Sequence, residues 1–235
     1  MHISIVIPTR NEALWISQNI RHIQQCARNY QGSLSLLEII VVDADSQDDT
    51  VVLAYHEGAS VISVSSPSRS IQLDTGAKQS KGDILYFVHA DSLPPSTFMA
   101  DIEKAFADGY RMGNFQYRFD RTHWLLNINA FCTRYRWFFT QGGDRTFFIH
   151  RPLYFEIGGY DPDYVVMEEY DFLRRAMRKG HHFAMLDSKC TVSSRKYNNR
   201  SWLRVQLANF IVYQCWNWSL LRPIQLKTLY KKLLG

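Results

Sequence analysis

The chain has little sulfur chemistry to offer. Its four cysteines, Cys26, Cys132, Cys190 and Cys215, are scattered over 235 residues and form no CxxC pair. That spacing excludes a zinc ribbon or dithiol centre and predicts core thiols in a reducing compartment. No internal repeat and no low-complexity linker is visible. Met1 leads directly into strand-like residues, with no basic stretch followed by an apolar run, so no secretory signal is expected and the catalytic part should be cytoplasmic. A long hydrophobic run is lacking too. The longest charge-free stretch of the C-terminal part, Val205–Leu221, has 17 residues between Arg204 and Arg222. As a helix it reaches about 25 Å at 1.5 Å per residue, short of the roughly 30 Å of a bilayer core. There is no glycine-rich, cation-bearing phosphate loop after the first strand, which argues against a sugar-phosphate nucleotidylyltransferase. Basic residues are not interleaved with an aromatic platform outside the C-terminal segment, so nucleic acid is not an expected partner.

What remains is an ordinary globular composition, 46% hydrophobic and 21% charged, enough for one domain with a substantial core. The net charge of +5 is weighted towards the C-terminus. Such a bias serves an anionic nucleotide, an acidic membrane surface, or solubility alone.

Strand and helix patterns alternate over the first hundred residues. Strands are expected at His2–Ile7, Glu38–Val42, Ser60–Val64 and Ile84–Val88. Helices are expected from near Asn11, over Asp48–Glu57, from near Arg69, and from Pro94-Pro95 through Phe106. Nearly continuous apolar strands between amphipathic helices predict an α/β fold with a mostly parallel central sheet and helices on both faces. Beyond Gly109, Met112–Phe119 alternates like a solvent-facing strand and Thr122–Phe139 reads as an aromatic helix. Thr146–His150 is a short strand, and Glu168–Lys179 a helix closed by Gly180. The expected organisation is one catalytic domain over 1–200, split into halves 1–108 and 109–200, with C-terminal amphipathic helices over 201–235.

Several apolar strands end in acids at what would be the ligand-binding edge of such a sheet. Asp91 follows the run Ile84–Val88 and is the best candidate metal ligand, since Mg2+ or Mn2+ binds through one or two carboxylates plus substrate phosphates. Asp43 and Asp45 would share one side if the chain were still extended; an Asx-turn is the plain alternative. Glu12 is either a ligand or an acid in a first helical turn. Arg69, between Ser68 and Ser70 before a helix, suits phosphate but could be a surface arginine. Glu168 and Glu169 open a helix, where dipole compensation explains an acid but not two adjacent ones. An acid fixed there beside a cleft can act as a general base.

In order, Pro8-Thr-Arg-Asn-Glu12, Ile39 to Thr50, Arg69 with Gly76-Ala77, Gly82-Asp83, His89-Ala-Asp91, Gly143-Asp144, Gly158-Gly159 and Glu168-Glu169 resemble a family 2 inverting glycosyltransferase. The likeness is to small bacterial members with His-Ala-Asp in place of Asp-x-Asp. The resemblance implies the Rossmann-like nucleotide-diphospho-sugar transferase fold. It implies a donor site at Pro8, Thr9, Glu12, Asp43, Asp45, Arg69 and Asp91, with Asp91 holding a divalent cation, Mn2+ or Mg2+. Gly143, Asp144 and Glu168 would line the acceptor side, and Glu169 would be the catalytic base. The donor would be a nucleoside diphosphate sugar, UDP first and GDP second, and the acceptor a hydroxyl on a glycan, lipid or small molecule. Three departures stand out: Glu169 where Asp is usual, Asp74 where Asn is usual, and His89 in the metal motif. They leave a weakened or inactive nucleotide-sugar-binding partner protein as the alternative.

Gln206, Asn209, Tyr213 and Asn217 make a polar stripe on the last apolar segment. With its tryptophans and lysines, 201–235 is expected to lie at an anionic membrane surface on its inner face, or to pack on the domain or a second subunit.

Overall fold

The computed structural model of the protein describes residues 1–65, 67–132, 145–198 and 201–235. Its strands are β1 (His2–Thr9), β2 (Ser35–Asp43), β3 (Ser60–Ser63), β4 (Ile84–Phe87), β5 (Ser92–Leu93), β6 (Met112–Phe119), β7 (Phe147–His150) and β8 (Ala184–Val192). The helices are α1 (Ile16–Asn29), α2 (Thr50–His56), α3 (Arg69–Gln79), α4 (Phe98–Ala107), α5 (Trp124–Cys132), α6 (Arg151–Ile157), α7 (Glu168–Arg178), α8 (Trp202–Asn217) and α9 (Pro223–Leu234). They surround one sheet of order β3-β2-β1-β4-β7-β6-β8-β5.

The first four strands are parallel, as their apolar runs require. Side chains alternate across the sheet, so each strand supplies both faces. Ile5, Val41 and Tyr86 join α1 and α4 on one side, while Val6, Val42 and Leu85 meet α3, α6 and α7 on the other. Full burial of such a side chain contributes roughly 1.5–3 kcal/mol. Gly76 lets α3 approach closely: a Cβ there would lie 2.3 Å from Val6 Cγ1. Beyond β4 the sheet is mixed. β7 runs antiparallel to β4 and β6, β6 and β8 are parallel, and β5 is antiparallel to β8.

Two expectations are corrected, and one strand, β8, was not expected. No helix starts at Asn11, which holds φ +57° and joins the β1 and β2 loops: its N–H donates to Ser46 Oγ and its Oδ1 accepts from Gln47 N–H, each at 2.8 Å. β6 is not solvent-facing, because β7 and β8 flank it and Met112 to Gln116 are buried. β8 has no clean alternation in sequence, yet its pairing with β6 closes that half of the sheet. The segment 133–139 of the expected aromatic helix lies outside the described residues, as do Gly143 and Asp144.

The last two helices pack back on the domain. Trp216 of α8 lies under the Arg174 guanidinium, 3.9 Å from ring centroid to Cζ, and beside Tyr170 of α7. In the polar stripe Gln206, Asn209 and Tyr213 are half-buried and Asn217 is exposed. Gln206 donates to Tyr197 and Asn209 accepts from Tyr230. No helix among the described residues is long and apolar enough to cross a membrane.

Candidate active site

The parallel strands deliver their C-terminal ends to one edge, and a cleft of about 530 Å³ opens there. Pro8, Thr9, Arg10 and Glu12 line it from the end of β1, His89, Ala90 and Asp91 from the end of β4, and Arg69 and Gln72 from α3. Ser193, Arg195 and Lys196 close it from the loop and 3-10 turn after β8.

The wall is built by hydrogen bonds of buried polar side chains. Gln72 Nε2 donates to the carbonyls of Thr9 (2.8 Å) and Val42 (2.7 Å), fixing the ends of β1 and β2 together. Asn19 of α1 donates to the carbonyls of His89, Ala90 and Ser92 at 3.0, 3.1 and 2.6 Å, which shapes the His-Ala-Asp turn. Asp43 is 2% exposed and accepts from Thr9 Oγ1 (2.9 Å), Ser46 N–H (2.9 Å) and Ser46 Oγ (2.5 Å). The carboxylate thus orders its own turn, the Asx alternative, and stands behind the cleft rather than in its lining. Asp45 is exposed with φ +56°. The chain bends at the end of β2, so the two acids do not share one side.

The charged lining has a definite arrangement. Arg195 reaches Glu12 through Nη1 (2.7 Å) and Nη2 (2.5 Å), and Asp91 through Nε (2.9 Å). One guanidinium therefore joins the acid after β1 to the acid after β4. The Glu12 hydrogen bonds, and then the Asp91 charge, hold it above its ordinary pKa. Arg69 Nε lies 2.7 Å from Glu168 Oε1, so a residue expected on the donor side and one expected on the acceptor side form a pair. The lining carries four cations, Arg10, Arg69, Arg195 and Lys196, against two acids, Glu12 and Asp91. That excess suits a polyanion.

Glu169 is the second residue of α7, next to this cleft, its Oε1 3.9 Å from His89 Nε2. Its position is set by Met167, which holds φ +68° immediately before the helix, at a cost on the order of 1–2 kcal/mol. Behind it, Arg145 is 3% exposed, donates to Asn114 Oδ1 (3.1 Å), and shares a small cavity of about 10 Å³ with Glu169 and Tyr160. Burial pulls the Arg145 guanidinium down to about 10, opposed in part by Glu169 and nearby tyrosines. Asp74 does not charge the donor side. It accepts from Tyr154 Oη (2.9 Å) and pairs with Lys78, while a Cβ on Gly159 would meet its Oδ1 at 2.6 Å. Asp74 therefore braces the Gly158-Gly159 turn that leads to α7.

A divalent cation fits this donor set in one way only. Among the described residues no group of three or more His, Cys, Asp or Glu could hold a metal. Asp91 offers a single carboxylate to the cleft, which suffices for a cation taking its other ligands from a diphosphate and water.

A parallel sheet extended by antiparallel strands, with a cationic cleft at the strand ends and an acid at its border, defines an A-type glycosyltransferase. The model of glycosyl transferase family 2 matches residues 4–167, well over half of the chain, and the protein belongs to that family. No curated protein matches the sequence. Solved structures match along nearly the whole chain. TarS 1–349 from S. aureus in complex with UDP-GlcNAc superposes with TM-score 0.66 at 14% identity, covering 99% of this chain and 71% of that one. Mannosyltransferase PcManGT from Pyrobaculum calidifontis in complex with GDP-Man and Mn2+ gives 0.67 at 20%, covering 97% and 68%. Glucosyl-3-phosphoglycerate synthase from Mycobacterium tuberculosis in complex with Mg2+ and UDP gives 0.59 at 19%, covering 89% and 78%. At these identities the likeness is one of fold. The family match ends at Met167, so Glu168 and Glu169 rest on geometry.

Proposed function

We propose that the cleft binds a nucleoside diphosphate sugar, UDP first and GDP second, and that the enzyme transfers the sugar with inversion to an acceptor hydroxyl. The observation that carries this reading is the four-cation lining with Glu169 3.9 Å from a lining residue, His89. In this reading residues 1–108 form the nucleotide-sugar half, with Pro8, Thr9 and Glu12 on the nucleoside side, and 109–200 form the acceptor half, from which Arg195 and Lys196 reach across to the donor cleft. Arg69, Arg195, Arg10 and Lys196 surround the diphosphate and stabilise the charge that develops as it leaves. Glu169 takes the proton of the attacking hydroxyl, and one base with a clamped leaving group gives a single inverting displacement. His89 and Arg145 position that base. A divalent cation, Mn2+ or Mg2+, would be held by Asp91 together with the donor and would supply charge to the leaving group.

The test is a thermal-shift panel of UDP and GDP with and without Mn2+, followed by donor turnover. A ligand at a hundredfold excess over its Kd stabilises by about 2.7 kcal/mol. Asp91→Asn is expected to abolish the metal-dependent shift. Glu169→Gln is expected to keep it while kcat falls by about 10²–10⁴. Full turnover by Glu169→Gln would remove the base from the reading, and no shift with any nucleotide would remove the donor site.

A further inference from the structure

We propose that the outward faces of α5 and α8 dock the protein onto an anionic lipid bilayer. This proposal is independent of the donor cleft. On α5, Trp124 and Ile128 are exposed at i and i+4, and on α8 Leu203, Leu207 and Phe210 are exposed at i, i+4 and i+7. That spacing puts each set on one helical face. Trp124 is 68% exposed, Leu207 58% and Phe210 59%, in a chain whose other large apolar side chains mostly fill its cores.

The two helices are tied at one point. The Tyr197 hydroxyl accepts from Asn129 of α5 (3.2 Å) and from Gln206 of α8 (3.4 Å). α8 is apolar on two sides: Val205, Ala208, Val212 and Trp216 pack inward, while the opposite set faces outward. A helix of this kind ordinarily has a cover on both faces, and exposed apolar surface of this extent marks an interaction site.

Charge selects the cover. Residues 201–235, which form α8 and α9, contain five Lys and Arg and no Asp or Glu. Arg204 is exposed beside Leu203 and Leu207, and exposed Arg121 precedes α5. Two copies meeting through this face would bring like charges together, whereas an anionic bilayer attracts them and accepts the Trp, Leu and Phe side chains.

The experiment is co-sedimentation of the full chain with vesicles of phosphatidylcholine alone or of equimolar phosphatidylcholine and phosphatidylglycerol. Binding to the mixed vesicles only is expected. Leu207→Ser combined with Phe210→Ser should lower the partition coefficient at least about tenfold, the expected loss of two buried apolar groups. Arg204→Gln, which removes the exposed cation beside Leu203 and Leu207, should lower it by about fivefold. Circular dichroism and nucleotide-induced thermal shift should be unchanged in both variants. Equal binding to both vesicle types, or no binding, overturns the proposal. A concentration-dependent dimer that Leu207→Ser with Phe210→Ser dissociates, without vesicle binding, assigns the face to a second copy instead.

Discussion

If the cleft takes the donor as proposed, Arg195 is the residue at which stability and donor binding meet, and replacing it separates the two. Its guanidinium bonds both oxygens of Glu12 and one of Asp91. The side chain is 43% exposed while the acids are 12% and 20% exposed, so solvent screens the cation but less of each carboxylate. Exposed pairs contribute about 0–1 kcal/mol. Arg195→Ala leaves two partly buried acids facing one another, and we expect a loss of about 1–2 kcal/mol. For a domain of this size that is a fall in Tm of roughly 2–8 °C.

The effect on donor should be larger. The variant keeps two acids in the cleft but loses one of four cations, and Glu12 then repels a diphosphate that it faced as half of an ion pair. A hydrogen bond to a charged group contributes about 1.5–3 kcal/mol, so UDP affinity should fall on the order of 10–100-fold. Titration calorimetry on the native protein and on Arg195→Ala measures it, with differential scanning calorimetry of both free proteins as the stability control. Arg195→Lys should recover little, because an ammonium cannot form the bidentate bridge. If Arg195→Ala binds UDP more tightly than the native protein, Arg195 occludes the cleft and the assignment of the cationic lining to the diphosphate is wrong.

Other consequences are equally direct. Arg145→Met should fold, since an apolar side chain of similar length can replace a buried cation without large cost, but kcat should fall by up to about a hundredfold as Glu169 loses its alignment; native kcat would show that Arg145 is structural only. Gly76→Ala should destabilise by about 1–3 kcal/mol through overpacking against Val6, read as a lower urea midpoint; an unchanged midpoint would mean that α3 moves off the sheet freely. Burial, and then the Arg111 charge, hold His150 below its usual pKa of 6.5. The unfolded chain therefore binds a proton there more readily, and stability is lost as pH falls below about 6.5. His150→Gln should flatten the fall in Tm between about pH 5 and 6.5, and an equally steep fall would place the acid lability elsewhere.

Half of this fold is written locally and half is not. β1, β2 and β4 are legible because they are buried on both faces: Ile5, Val6 and Ile7 belong to two cores, and a continuous apolar run is the only sequence that fills both. β8 is not, since Asp187 and Lys189 interrupt it and its strand character comes from pairing with β6. Asp43 shows the limit at the site. Its turn chemistry and its strand-end placement are both real, and only the hydrogen bonds from Thr9 and Ser46 show that the turn uses most of its acceptor capacity.

Gln72, Asn19 and Arg145 were silent in sequence for a related reason. Each is a buried polar residue whose partners are main-chain carbonyls or a side chain 30 or more positions away, and no local pattern encodes such a partner. The one local feature at Arg145 is its place two residues before the apolar run Phe147-Phe-Ile, which names no partner. Arg195 offered a signal, since no acid follows Asp187 to balance it within its own segment. Its counter-charges lie at positions 12 and 91, so the ion pairs draw the segment after β8 against the ends of β1 and β4. The same short turn places Tyr197 between α5 and α8. Two residues apart, Arg195 and Tyr197 thus bring the cleft lining and the outer helices onto one short turn.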